Sequence, residues 1–281
     1  MHPTQIVVIA FGAASIAGTL LLLLPFATAP GNSTSVVAAF FTAVSAVCIT
    51  GLTVVDTATH WSGFGQLVIM VLIQLGGLGI VSFATLLGLL VSGRISLRDR
   101  LNTLSEAKIV GADSLPKLLS RILIVYFGFE LVLATYLSLR LHFSYGEGVF
   151  QSIWHGTFHA ISAFNNGGFS LYTDSMTGFN QDMFFIAPVM LAVVVGGLGF
   201  PVLIELHERI WRLRLQPGGK AKRFSLHTRL TLWMTVSLIA LGALFIGAIE
   251  WNNPGTLGGL NTWDKLVNTF FTSIMPRSGG F

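Results

Sequence analysis

Long stretches without a single charged side chain constrain this sequence more than any other feature. No Asp, Glu, Lys or Arg precedes Asp56, and the next charge is Arg94, which leaves 37 uncharged residues between the two. Two further uncharged runs cover 22 residues at 183–204 and 20 residues at 230–249. Because about 20 apolar residues in a helix cross the hydrocarbon core of a bilayer, these runs predict an all-α integral membrane protein.

The composition excludes several classes of protein. Of the 281 residues, 53% are hydrophobic and 10% are charged, whereas soluble domains have about 25% charged residues. An ordinary soluble enzyme, a disordered protein and a nucleic-acid-binding module are therefore excluded, and we expect no nucleic acid partner. The single cysteine, Cys48, excludes a disulfide framework and a cysteine-rich metal site within one chain.

The apolar stretches fall into two length classes. Five are long enough to span a bilayer, at 5–26, 64–92, 118–141, 183–208 and 226–249. The first lacks the basic residues that precede the apolar part of a signal peptide, so we interpret it as a retained span. Three others are too short to cross and predict re-entrant segments, at 36–47, 150–164 and 264–275.

The basic residues predict the topology. Of the 16 Lys and Arg residues, 13 lie in or beside two loops: Arg94, Arg98, Arg100, Lys108, Lys117 and Arg121 in the first, and Arg209, Arg212, Arg214, Lys220, Lys222, Arg223 and Arg229 in the second. The positive-inside rule places both loops in the cytoplasm. The N-terminus is then cytoplasmic, and the segments with Asp56, Asp174, Asp182 and Asp264 lie outside.

Three segments of the chain repeat one another. Each has a phenylalanine ten residues before a glycine, at 41–51, 158–168 and 270–280, and the glycines are 117 and 112 residues apart. A Gly-Gly-Leu-Gly motif also occurs twice, at 76–79 and 196–199. The repeated unit is span, short helix, glycine loop and span in one orientation, which implies a pseudo-symmetry axis along the membrane normal and a central path.

The three glycine loops have the chemistry of a monovalent cation path. They offer backbone carbonyls, which can replace the hydration shell of such an ion, and glycine permits the positive φ that turns successive carbonyls one way. Divalent cations favour carboxylate ligands, which the loops lack. The candidate ion-binding residues are Val47, Cys48, Ile49, Thr50 and Gly51, Phe164, Asn165, Asn166, Gly167 and Gly168, and Pro276, Arg277, Ser278, Gly279 and Gly280.

Four other features have competing interpretations. His155 and His159 have the spacing of a zinc pair, but no carboxylate completes a site, so we expect no metal there. The two Gly-Gly-Leu-Gly motifs favour close helix packing or bending over a dinucleotide loop. Glu130 within the third span is either functional or paired with a neighbouring helix or backbone. Arg277 is expected to turn away from the path toward an acidic or carbonyl partner.

Three alternative functions stay open at this level. A secondary transporter for an organic solute would have inverted repeats, and a non-conducting scaffold or sensor would use the loops only structurally. An intramembrane enzyme is disfavoured because no nucleophile–base pair is present, so we predict that the chain is not an enzyme.

The loops also resemble a known family. The stretches TAVSAVCITGLTVVDT at 42–57, FHAISAFNNGGFSL at 158–171 and MPRSGGF at 275–281 resemble the first three pore segments of the Trk/Ktr/HKT potassium transporters. LIQLGGLGIVSF at 72–83 resembles the second helix of their first repeat, and Ser225–Pro254 the first helix of the third repeat in the bacterial Ktr-type membrane subunit.

The resemblance implies potassium uptake across the plasma (inner) membrane through a selectivity filter. Four helix–pore loop–helix repeats would surround the pore with pseudo-fourfold symmetry, and K⁺ would bind the carbonyls of the loop residues above. Gly51 at the first filter position is typical of the potassium-selective members. The resemblance further implies a homodimer in the bilayer, a cytosolic nucleotide-binding regulatory subunit of the RCK type, Na⁺ as a candidate coupling ion and no cofactor in the chain.

The resemblance also predicts the organisation of the chain. The first repeat covers 1–93, a cytoplasmic loop 94–117, the second repeat 118–211, a second loop 212–225 and the third repeat 226–281. Because the family has four repeats, we expect this chain to be a fragment that lacks the second helix of the third repeat, which bears the gate, and the whole fourth repeat.

Overall fold

A computed structural model of the chain describes residues 3–79, 115–215 and 224–281. Within these ranges the secondary structure is helical, and no strand forms beyond one isolated bridge between Thr28 and Trp61. The predicted all-α class is therefore confirmed. Most of the two basic loops and the second half of the predicted span 64–92 lie outside the described residues.

The described helices can be grouped by the three predicted repeats. The first repeat contains α1 (Pro3–Leu22), α2 (Val36–Val47), α3 (Thr57–His60) and α4 (Gly63–Leu78). The second contains α5 (Leu115–Tyr145), α6 (Val149–Phe164), a 3-10 turn (Thr177–Phe179), α7 (Met183–Gly197) and α8 (Phe200–Leu215). The third contains α9 (Leu226–Glu250), α10 (Thr262–Ile274) and a π-helical turn (Met275–Gly279).

Two helices of the described residues are long and apolar enough to cross a membrane, Leu123–Tyr145 within α5 and Leu226–Glu250. A third span exists only if α7 and Pro201–His207 of α8 count together, because they are bent by 108° relative to each other. The stretch 183–208, predicted as one span, is therefore two helices with a sharp bend between them. Gly199 adopts a φ of +81° between the two helices, a conformation that interrupts a right-handed helix.

The three short apolar stretches form the short helices α2, α6 and α10. Ser35 caps α2 by accepting a hydrogen bond from the Ala38 N–H at 3.1 Å, and Asn261 caps α10 by accepting from the Asp264 N–H at 2.8 Å. At 1.5 Å per residue, none of these helices is long enough to cross about 30 Å of hydrocarbon. Each ends at one of the glycine loops.

Two hydrophobic clusters join neighbouring repeats. One cluster contains side chains of α1, α2 and α4 together with Phe158, Phe169 and Leu171 of the second repeat. The other contains side chains of α5, α6 and α7 together with Val267, Ile274 and Met275 of the third. The second cluster also contains Leu78 of α4. Because each core draws on more than one repeat, the packing holds neighbouring repeats together.

Candidate functional site

The three glycines predicted from the repeat come together at one point. Gly51, Gly168 and Gly280 have φ values of +73°, +70° and +70°. A Cβ added to Gly168 would lie 2.8 Å from the Cα of Gly280 and 2.9 Å from the Cα of Gly51. A Cβ added to Gly51 would lie 3.1 Å from the Cα of Gly168. Only glycine fits both the backbone conformation and this close approach.

The first two loops share one backbone conformation. The N–H of Thr50 donates to the Ser45 carbonyl at 2.9 Å, and the N–H of Gly167 donates to the Ser162 carbonyl at 2.6 Å. Within both loops a non-glycine residue has a positive φ, +50° at Ile49 and +58° at Asn166. These pairs are 117 residues apart, so the sequence repeat is also a repeat of backbone geometry.

In the first two short helices, α2 and α6, a serine hydrogen-bonds the residue that follows the loop glycine. The Ser45 hydroxyl donates to the Leu52 carbonyl at 2.7 Å, and the Ser162 hydroxyl donates to the Phe169 carbonyl at 2.8 Å. The hydroxyl therefore links the residue after the loop glycine to the short helix that precedes the loop. The two serines occupy the same position of the repeat, 117 residues apart, but the sequence alone does not reveal this contact.

The third loop has a different geometry. A π-helical turn covers Met275–Gly279, and the N–H of Gly280 donates to the Met275 carbonyl at 3.0 Å. The Arg277 guanidinium is exposed and its Nη1 donates to the Thr235 carbonyl of α9 at 3.4 Å. A backbone carbonyl is thus its partner, one of the two kinds that the sequence predicted.

Asn166 links the second and third loops. With its amide oriented so that donors meet acceptors, it donates to the Ser278 hydroxyl at 3.1 Å and to the Val193 carbonyl at 2.9 Å. Its side-chain oxygen accepts from the Gly197 N–H at 3.1 Å. Two of the predicted filter residues are therefore in direct contact across the repeats.

The Gly-Gly-Leu-Gly motifs support the base of the loops. The Val47 carbonyl lies against Gly76, and the Phe164 carbonyl lies against Gly196, so closely that a Cβ at either glycine would overlap the carbonyl. The last glycines, Gly79 and Gly199, have positive φ and end α4 and α7. Close packing, the interpretation that the sequence favoured, is confirmed.

A cavity of about 430 Å³ opens above the three glycines. It is lined by residues 53–57, by residues of 170–175 and by Phe281, and Asp56 is the acid in this lining. Asp56 accepts hydrogen bonds at 3.0 Å from the Ala58 N–H and at 2.8 Å from the Thr59 and Thr173 hydroxyls. Partial burial works to raise the pKa of Asp56, but these hydrogen bonds outweigh it and lower the pKa below its ordinary value.

The two histidines with zinc-like spacing have separate partners. The Nδ1 of His155 lies 3.1 Å from a carboxylate oxygen of Glu147. The Nε2 of His159 accepts from the Leu171 N–H at 3.2 Å, so its Nδ1 donates to the His155 carbonyl at 2.7 Å. His159 therefore anchors the segment after the second loop.

Glu130 is paired with a neighbouring helix, one of the two interpretations left open by the sequence. It is buried, and its Oε2 accepts from the Gln74 Nε2 of α4 at 2.8 Å. Its Oε1 accepts from the Nδ2 of Asn165, a predicted filter residue, at 2.8 Å. Sequence reasoning missed Gln74, whose only signal was a polar residue in an apolar helix two positions before a Gly-Gly pair.

A family model for TrkH, described as a cation transport protein, matches residues 1–281. The chain belongs to the TrkH family. Because this is a family of transport proteins, the prediction that the chain is not an enzyme is confirmed, and the apolar helices agree with a membrane protein that crosses the bilayer several times.

Several characterised relatives are similar to this TrkH-family chain along its length. It is 39% identical to the Ktr system potassium uptake protein B of Bacillus subtilis, covering 99% of this chain and 60% of the relative. It is 34% identical to the potassium/sodium uptake protein NtpJ of Enterococcus hirae, covering 100% and 60%. The Ktr system potassium uptake protein B of Vibrio alginolyticus is 32% identical, with 99% and 58% covered. The chain thus spans about 60% of the length of these relatives.

Proposed function

We propose that this chain is part of the ion-translocating subunit of a Trk/Ktr-type potassium uptake system. The observation that carries the proposal is the convergence of Gly51, Gly168 and Gly280 beneath an open cavity, each at the end of a short helix. The printed names of the relatives support it, since they are potassium uptake proteins and a potassium/sodium uptake protein.

The chemistry of the loops favours a weakly hydrated monovalent cation. K⁺ entering the cavity exchanges its water for the backbone carbonyls of Val47–Gly51, Phe164–Gly168 and Pro276–Gly280. The C-terminal ends of α2, α6 and α10 precede these loops, and the negative end of a helix dipole stabilises a cation. The ionised carboxylate of Asp56 in the cavity raises the local cation concentration.

The wider organisation follows from the same proposal. Residues 1–93, 118–211 and 226–281 are three units of a pseudo-fourfold arrangement, with 94–117 and 212–225 as cytoplasmic loops. The protein lies in the plasma (inner) membrane with a cytoplasmic N-terminus. It forms a homodimer and binds a cytosolic nucleotide-binding regulatory subunit of the RCK type, and Na⁺ is a candidate coupling ion.

The test is Rb⁺ uptake by the full-length gene product in cells without other potassium uptake systems. We expect Gly51→Asp to abolish uptake while the protein still inserts, because a carboxylate there fills the point where the loops converge. Gly31→Asp is the matched control, since Gly31 also has a positive φ of +86° but no atom within 4 Å of an added Cβ. If Gly51→Asp takes up Rb⁺ as well as the control variant does, the assignment of Gly51 to a selectivity filter is rejected.

A further inference from the structure

A buried polar cluster lies directly behind the second glycine loop. Its members are Gln74 of α4, Tyr126 and Glu130 of α5, and Asn165 at the base of the loop. Tyr126, Glu130 and Asn165 are only 3–5% exposed. An acid at this depth is costly unless it is paired, and a filter made of backbone carbonyls has no need of it.

Most contacts within the cluster involve the side chain of Asn165, and the Tyr126 hydroxyl also contacts Glu130. Its Nδ2 donates to the Glu130 Oε1 at 2.8 Å and to the Ile161 carbonyl at 2.8 Å, and lies 3.3 Å from the Gln74 Oε1. Its Oδ1 accepts from the Tyr126 hydroxyl. Gln74 in turn donates to the other oxygen of Glu130 at 2.8 Å. Both ends of the Asn165 amide are therefore held.

This arrangement fixes the backbone next to the side chain. The Asn165 amide packs against α4 at Gly77, where an added Cβ would overlap its Oδ1. Asn165 stands between Phe164, whose carbonyl lies against Gly196, and Asn166, which has a φ of +58°. A displaced Asn165 side chain would consequently move the carbonyls at the base of this loop.

The cluster contacts one glycine loop among the three. The residues that align with Asn165 are Cys48 and Arg277, and both are exposed. The residue 117 positions before Glu130 is Ala13, and the residue 112 positions after it is Gly242. Neither can replace the carboxylate, so this contact of the second loop has no counterpart at the aligned positions of the described residues.

We propose that Glu130 is a positioning residue that sets ion selectivity by holding Asn165 and, through it, the carbonyls of the second loop. Gln74 and Tyr126 complete the brace, and Glu130 itself does not touch the ion. The inference rests on the proposed function. Because carbonyl placement decides between K⁺ and Na⁺, loosening one loop lowers selectivity before it abolishes transport.

The experiment measures competition of Na⁺ against Rb⁺ uptake by the full-length protein. We expect Glu130→Gln to lower the Rb⁺/Na⁺ selectivity ratio about tenfold, the change that follows loss of one charge-assisted hydrogen bond, with uptake still measurable. Glu250→Gln makes the same chemical change at the C-terminal end of α9, outside the cluster, and is expected to leave the ratio unchanged.

A double variant tests whether Glu130 acts through Asn165. Asn165→Ala is expected to lower selectivity by itself, and Glu130→Gln added to it is expected to lower it no further. Effects that multiply would overturn the inference, because Glu130 would then act by another route.

A milder variant still tests the inference if the Glu130→Gln protein does not accumulate in the membrane. Tyr126→Phe removes only a hydroxyl, which donates to Asn165 and also contacts Glu130, and we expect a smaller selectivity loss in the same direction. Wild-type selectivity in this variant would overturn the inference. A wild-type protein without Rb⁺ uptake would instead reject the proposed function, so the two failures are distinguishable.

Discussion

Gly168 has a φ of +70° and lies between the first and third loops. Alanine in this left-handed conformation costs about 1–2 kcal/mol, and its Cβ would lie 2.7 Å from the Gly279 carbonyl oxygen. We therefore expect Gly168→Ala to lower Rb⁺ uptake more than about tenfold without loss of membrane insertion.

The matched control for this change is Gly128→Ala in α5, where an added Cβ has no neighbour within 4 Å. This variant should transport like the wild type. Equal uptake by the two variants would contradict the assigned convergence of the loops.

Asp56 carries the negative charge in the lining of the cavity above the three glycines. Its pKa lies below the ordinary 3.8, so the carboxylate is ionised throughout the physiological range. The stability that it contributes is present above that ordinary value and is lost as the pH falls through the lowered folded value. Between about pH 6 and 8 its charge is constant, and we expect no pH dependence of uptake from this group.

Asp56→Asn removes the charge and keeps a residue type that caps α3. We expect the KM for K⁺ to rise about two- to fivefold at low ionic strength with little change in the maximal rate, and the effect to shrink as salt screens it. The measurement is Rb⁺ uptake against concentration at two ionic strengths. Glu250→Gln, an acid outside the cavity lining, is the control, and an unchanged KM for Asp56→Asn would argue against electrostatic attraction.

At the level of helices, the contact between α7 and the second short helix depends on Gly196. A Cβ there would overlap the Phe164 carbonyl, and overpacking of this kind costs about 1–3 kcal/mol. We expect Gly196→Ala to lower the Tm by several degrees and to reduce Rb⁺ uptake. Gly12→Ala in α1, which has open space around the added Cβ, should change neither quantity, and an equal Tm in the two variants would contradict the packing argument.

The helices also show which structural features the local sequence predicts well and which it does not. The predicted short segments 36–47 and 150–164 coincide with Val36–Val47 and Val149–Phe164 within one residue, because their ends are set by local turn and capping residues. The predicted span 183–208 instead bends by 108°. The length of an apolar run shows how many apolar residues follow one another, but it does not show whether the helix that they form is straight or bent.

At the level of the whole molecule, polar contacts join repeats that are distant in sequence. The Nε1 of Trp154 in α6 donates to the Gln66 Oε1 of α4 at 2.7 Å, and the Gln66 Nε2 donates to the Trp61 carbonyl at 3.2 Å. Gln66→Ala leaves the partly buried indole N–H without this acceptor, which costs about 1–3 kcal/mol. We expect a lower Tm for the whole protein, measured by thermal unfolding in detergent.

The control for this interface is Gln181→Ala, because Gln181 is exposed. It should leave the Tm within about one degree of the wild type, as surface substitutions do. A loss of stability in both variants would show that the indole contact is not the cause.

The sequence by itself determined the class of the protein, the three glycine loops and the short helices before them. The length of uncharged runs, the spacing of residues and repeated motifs are properties of the sequence itself. They can therefore be identified without a structure. The family resemblance, borne out by the match over residues 1–281, rests on the same local patterns.

Only the tertiary structure decided which residues meet. It brought Gly51, Gly168 and Gly280 to one point and joined Glu130 to Gln74 and Asn165, partners 56 and 35 residues away. It also turned the chain sharply at Gly199. These features depend on how the repeats pack against each other, and packing between distant segments leaves no periodic signal in a single sequence.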